Sequence, residues 1–257
     1  MTTAVRCLTI FAVIVLTALL LTPTLHAAPA TPQSAADVTL LNAANRDRAA
    51  AGLAPFQWDD ALAAAAHQHA LLMAQRNTLS HQFPGEPPIQ DRARHAGARF
   101  SLIAENVAEG PSIPGLHTQW MNSAPHRGNL LDRELNSIGI SVVQSGNMYF
   151  AVEDFSVAVP SASLEEQEQQ VASQLAARGL RDITTSADAR RTCELERGFA
   201  GQRPSTVLRY ETGDLRQLPD DIDRRLTTGQ IHSAAIGACD AAPASTFARF
   251  RIAIVLY

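Results

Sequence analysis

Six of the eight histidines fall between His67 and His126, and Glu105 lies inside the same stretch. Imidazoles beside a carboxylate suit two kinds of chemistry, ligation of a divalent cation and proton transfer near neutral pH. His67 and His69 are two residues apart on a predicted helix, so they point to different faces and cannot grip one ion as an i, i+4 pair does. They are expected to be solvated or core histidines. Ser123, three residues before His126, invites a serine-hydrolase arrangement with Glu105 as the orienting acid. No Gly-x-Ser-x-Gly elbow surrounds it, and a serine near a helix end more often serves as a hydrogen-bonding cap.

The 21 basic residues are all arginine, which excludes Schiff-base and P-loop lysine mechanisms. A net charge of −4 offers no electrostatic case for nucleic acid. With 257 residues, 46% hydrophobic and 18% charged, the chain is long enough for two folded units.

The elements that must position the histidines follow from pattern. A helix is predicted over 38–51, with Ser34 and Asp37 spaced for capping, and a second over 60–77. A short helix is expected at 90–96. Another starts at Ser112, carries Leu116, Trp120 and Met121, and is expected to end at Pro125. Alternation over 138–142 and again over 148–157, around Ser145-Gly146-Asn147, predicts a β-hairpin. A boundary is expected at 159–163. Beyond it come a helix to Ala177 opened by a Ser163/Glu166 capping box, a strand at 206–211 and a helix from Pro219 to near Gly229. Strands at 233–239 and 250–256 finish the chain, the last apolar on both faces and so central. Glu165, Glu166 and Glu168 read as a solvated helix face, and no internal repeat is visible.

Residues 1–27 read as a signal peptide: Arg6 supplies the positive charge, an apolar run follows from Cys7 to Leu21, and Ala27, Ala28 and Ala30 suit cleavage. The run is shorter than the roughly 20 residues a span needs, so no stable membrane span is expected after cleavage. Cleavage leaves Cys193 and Cys239, which are predicted to form a disulfide. The organisation expected is a signal peptide at 1–27, a linker at 28–36, one domain at 37–158 and a smaller C-terminal α+β domain at 164–257.

Three segments carry a resemblance: Leu79-Ser80-His81, Ala104-Glu105-Asn106-Val107-Ala108, and Trp120 through Leu131 with its Ser123-Ala124-Pro125-His126-Arg127-Gly128-Asn129 core. Together with Asn45, Arg48, Gly52-Leu53, Trp58, Ile138-Gly139-Ile140 and Tyr149-Phe150, they resemble the CAP superfamily of cysteine-rich secretory proteins, antigen 5 and pathogenesis-related proteins, in its bacterial form with an SCP domain, over about 37–157. The resemblance implies an α+β fold with a CAP-type αβα sandwich. It also implies a cleft lined by His81, Glu105 and His126, with Ser123 where many eukaryotic members have a second glutamate. Two imidazoles and one carboxylate are ligands zinc accepts, with a fourth position left to water. The expected function is therefore a secreted protein, extracellular or periplasmic, whose cleft binds zinc or another divalent metal, a small ligand, a lipid or a partner protein. The alternative is a peptidase-like hydrolase using Glu105 and His126, with or without zinc. In a third reading the three groups pair only to satisfy a polar cleft. No nucleotide or organic cofactor is expected. Asn106 is expected to hold a turn, and Arg127 with Asn129 to fasten the loop after His126.

Overall fold

The computed structural model describes residues 33–227, 229–240 and 247–257. The expected signal peptide lies outside the described residues, as does most of the expected linker.

Helix α1 (Ala35–Ala50) starts at the anticipated cap: Ser34 Oγ accepts from Asp37 N at 3.1 Å, and the Asp37 carboxylate accepts from Ser34 N at 2.8 Å. After β1 (Gln57–Trp58), Asp59 caps α2 (Asp60–Arg76) by accepting from the amides of Ala61 and Leu62. Asn77, left-handed at φ 47°, ends that helix. Then come α3 (Ile89–His95), β2 (Phe100–Gly110), α4 (Ile113–Asn122), α5 (Ala124–Leu130), β3 (Ser137–Ser145) and β4 (Met148–Ala158). Pro125 corrects one expectation. It does not merely terminate α4 but sits in the first turn of α5, where its missing N–H has no intrahelical partner to lose.

The first sheet has the order β1-β3-β4-β2, with β1 parallel to β3 and the other pairs antiparallel. One face carries Ile138, Ile140, Phe155, Ala151 and Ala108, packed under Leu40 and Ala44 of α1, Leu116 and Trp120 of α4 and Leu130 of α5. The other carries Val107, Val152 and Phe150 under Ala66, Ala70 and Met73 of α2. Helices on both faces of one sheet make the αβα sandwich. Arg48 of α1 is buried and donates to the carbonyls of Ala54, Leu130, Asp132 and Leu135, which fixes the chain leaving α5.

A second sheet follows, built from α6 (Leu164–Ala177), β5 (Asp182–Thr185), α7 (Ala187–Glu194), β6 (Thr206–Thr212), α8 (Ile222–Thr227), β7 (Ser233–Cys239) and β8 (Phe250–Leu256). Its order is β5-β7-β8-β6, and β8 is interior as its two apolar faces required. Glu168 is not solvated. It is fully buried, accepts from Arg190 Nε at 2.7 Å and Nη2 at 2.8 Å, and takes the amide of Ala238 at 3.0 Å, because the helix face it occupies packs on β7. Cys193 and Cys239 form a disulfide joining α7 to β7, which fits an oxidising, extracytoplasmic compartment. Among the described residues no helix is long and apolar enough to cross a membrane.

Candidate functional site

Glu105 lies midway along β2, the edge strand on the α5 side of the first sheet. The outer carbonyls of this edge are covered by side chains: Asn129 Nδ2 donates to Glu105 O at 3.3 Å, Trp120 Nε1 to Val107 O at 3.1 Å and Gln119 Nε2 to Glu109 O at 3.2 Å. Edge groups left bare invite pairing with another chain, so these bonds both blunt the edge and draw α4 and α5 against it.

The Glu105 carboxylate is fully engaged. Oε1 accepts from His81 Nδ1 at 2.8 Å, and Oε2 accepts from Arg92 Nη2. Arg92 Nη1 donates to Glu86 Oε1 at 3.2 Å and to the His81 carbonyl at 3.1 Å. Glu86 Oε1 bonds His69 Nδ1 at 2.6 Å, while His69 Nε2 donates to the Ser80 carbonyl at 2.7 Å. The chain of bonds thus leaves the loop after α2 at Ser80 and returns to it at His81, locking that loop onto β2 and α3. His69 is the core histidine expected of its helix, and His67 is half-buried with Nδ1 3.0 Å from Ser141 Oγ. On the outer side, Arg92 and Glu86 also line a groove of about 710 Å³ bounded by α2, the 84–87 loop and α3.

His81 presents its ring to solvent, its side chain 58% exposed, whereas Glu105 beneath it is only 5% exposed. His126, in α5, faces it with ring centroids 6.5 Å apart. The structure therefore brings His81, Glu105 and His126 to one place. The two imidazoles differ in character: the bond to Glu105 raises the pKa of His81, while burial, followed by the nearby His81, lowers that of His126. Since a carboxylate only accepts, Nδ1 of His81 carries the hydrogen, and Nε2 is its free nitrogen.

Asn106 corrects another expectation. It lies inside β2, fully buried, and acts as a junction: Nδ2 donates to the His126 carbonyl at 3.2 Å and to Glu153 Oε2 at 3.3 Å, and Oδ1 accepts from Asn129 Nδ2 at 2.9 Å. Arg127 and Asn129, expected to fasten a loop after His126, instead lie within α5: Arg127 Nη1 donates to Met121 O at 2.8 Å and ties α5 to α4, while Asn129 ties it to β2. Ser123 stands between α4 and α5, but among the described residues its hydroxyl makes neither a capping bond nor a bond to His126.

Arg92, Glu86, Asp154 and Glu153 were not singled out from sequence. The available signal was Glu153-Asp154, two acids inside an otherwise apolar strand; both are fully buried. Burial pushes Glu153 up to about 8, and Asp154 is raised by burial and then by the Glu105 charge. As a ligand set, the trio offers a cation two imidazoles and a carboxylate already held by His81 and Arg92. Among the described residues no three His, Cys, Asp or Glu side chains are grouped to hold a metal ion.

Residues 41–157 match the model of the family described as CAP: Cysteine-rich secretory protein family. "Uncharacterized protein YkwD" of Bacillus subtilis (strain 168) is 31% identical over 117 residues, covering 45% of this chain and 46% of that protein. "Uncharacterized membrane protein YlbC" of the same organism is 30% identical over 115 residues, 43% of this chain and 32% of that one. The chain thus spans under half the length of either relative. Among solved structures, an extracellular protein containing an SCP domain from Bacillus anthracis str. Ames is 26% identical with a TM-score of 0.43, covering 49% of this chain and 44% of that one. An outer surface protein from Borrelia burgdorferi is 21% identical with a TM-score of 0.45, covering 48% of this chain and 92% of that one. On the family match over 41–157, that segment is a CAP domain of the cysteine-rich secretory protein family.

Proposed function

We propose that this is an exported CAP-domain protein whose cleft binds an extracellular ligand through the facing imidazoles of His81 and His126. The observation that carries the reading is the bond from His81 Nδ1 to a buried carboxylate that is itself clamped by Arg92. Such a carboxylate fixes ring orientation and tautomer and leaves Nε2 available, the arrangement found behind histidines that ligate metals. A divalent cation would be held by the imidazole nitrogens of His81 and His126, with Glu105 orienting His81 rather than ligating. The ion would add Lewis acidity to the cleft. Calorimetric titration with zinc tests this: heat in the wild type that disappears in His81→Ala/His126→Ala supports it, and equal heats in both proteins count against it.

The opposite pKa shifts of the two histidines favour a second reading, a hydrolase. Groups pushed apart in this way suit an acid and a base working at one pH, His81 holding its proton and His126 ready to take one. Cleavage of a peptide library that is abolished by Glu105→Gln in a folded protein would favour it. No cleavage, with or without zinc, would leave ligand binding.

A further inference from the structure

The two sheets follow the same path. In the first, a capped helix precedes a short edge strand, a helix, the opposite edge strand, further helix, and a hairpin that fills the middle; strand order is β1-β3-β4-β2. The second reads β5-β7-β8-β6, again with the first edge strand parallel to its neighbour and the remaining pairs antiparallel.

The agreement extends to single residues. The β1–β3 pairing ends at Trp58↔Ile138, and Gly139 follows; the β5–β7 pairing ends at Thr185↔Ile236, and Gly237 follows. The helix cap comes directly after each edge strand, Asp59 in one and Ser186 in the other. The third and fourth residues after each cap then lie on the glycine. A Cβ on Gly139 would meet Ala63 N at 2.0 Å and the Leu62 carbonyl carbon at 2.3 Å; on Gly237 it would meet the Ala189 carbonyl carbon at 2.1 Å and Arg190 N at 2.3 Å. Both helices lie so near their central strand that only glycine fits beneath. Each leading helix opens with a capping box, Ser34/Asp37 or Ser163/Glu166, and sends an acid to a central amide: Asp37 takes Val142 N at 3.0 Å, Glu168 takes Ala238 N at 3.0 Å.

The register identifies what occupies the cleft position. Across the first sheet, one row reads Gly139, Asp154, Glu105; across the second it reads Gly237, Ala253, Arg209. Arg209 stands where Glu105 does. Its Nε donates to Thr192 O at 2.8 Å and its Nη2 to Gly198 O, so the guanidinium ties α7 and the chain after it onto β6 instead of meeting an imidazole.

We propose that residues 163–257 form a second CAP-type unit, a topological copy of the first in which Arg209 fills the cleft position. Among the described residues the copy keeps the frame and lacks counterparts of the loop of His81 and the helix of His126, so only the first unit has a cleft of this kind there. It packs on the first unit near the start of β2, where Ala248 N donates to Phe100 O at 2.8 Å.

Nuclear magnetic resonance of the full chain tests this, with zinc ion as the probe. Cross-strand contacts joining Gly237, Ala253 and Arg209, with Gly237 against Ala189, are expected, and zinc should shift no resonance between residues 186 and 211. Any other strand order, or zinc-induced shifts in that range, would overturn the proposal. The response of His81 and His126 to the same zinc reads the first cleft separately: a chain indifferent to zinc agrees with a second unit lacking a cleft while counting against metal binding in the first.

Discussion

Glu105 and Asp154 occupy paired positions on adjacent strands, yet one carboxylate is bonded by His81 and Arg92 and neither oxygen of the other accepts from any donor among the described residues. Protonation resolves this, since a neutral Asp154 carboxyl can donate to Glu105 and the strand pair then holds a single negative charge for His81 and Arg92. A raised pKa in the folded state stabilises below the unfolded value, near 4, and is lost as pH rises. Asp154→Asn is therefore expected to raise the melting temperature at pH 7 to 8, with the gain gone below about pH 4. Thermal melts over that range check it; a variant less stable than wild type at pH 8 would refute the neutral form.

Glu153 gives a companion prediction on the other face of the sheet. Its pKa of about 8 means that the unfolded chain loses this proton from roughly pH 4.5 while the native state holds it. Each pH unit between those values then costs the native state up to about 1.4 kcal/mol from this group. Glu153→Gln keeps the shape and the acceptor for Asn106, so denaturant unfolding as a function of pH should lose that slope.

The disulfide ties α7 to β7 across a sequence separation of 46. Replacing both cysteines by serine should cost about 4 kcal/mol in urea unfolding by loop-closure entropy. The titration of His81 should not change, because its partners Glu105 and Arg92 lie on β2 and α3, in the first unit and away from the disulfide.

Much of this architecture was legible in the chain. Caps at Ser34 and Ser163, the alanine-rich α2 and the alternating hairpin declared themselves because each is a local rule. So was the meeting of His81, Glu105 and His126, though through family resemblance rather than spacing. Strand β2 was not, because Ala104-Glu105-Asn106 breaks apolar alternation where the strand carries the site. Arg92, next to Asp91 and two residues before Arg94 in a short helix, looks solvated until α3 is folded against β2. Glu168 misled for the same reason: helical position says which residues share a face, not which face a neighbouring sheet will cover. A C-terminal α+β domain was expected, but its proposed likeness to the first was not legible, because beyond a path the two share little more than an Ile-Gly pair, Ile138-Gly139 and Ile236-Gly237, too little for a repeat to show in the sequence.

The central claim is that buried Glu105 holds His81 against His126 in one cleft. Its most direct test is the titration of both imidazoles by nuclear magnetic resonance in the wild type and in Glu105→Gln. The account predicts a wild-type midpoint above 6.5 for His81 and below 6.5 for His126, with the His81 midpoint falling in the variant as its carboxylate partner is lost. Indistinguishable His81 midpoints in the two proteins would contradict it.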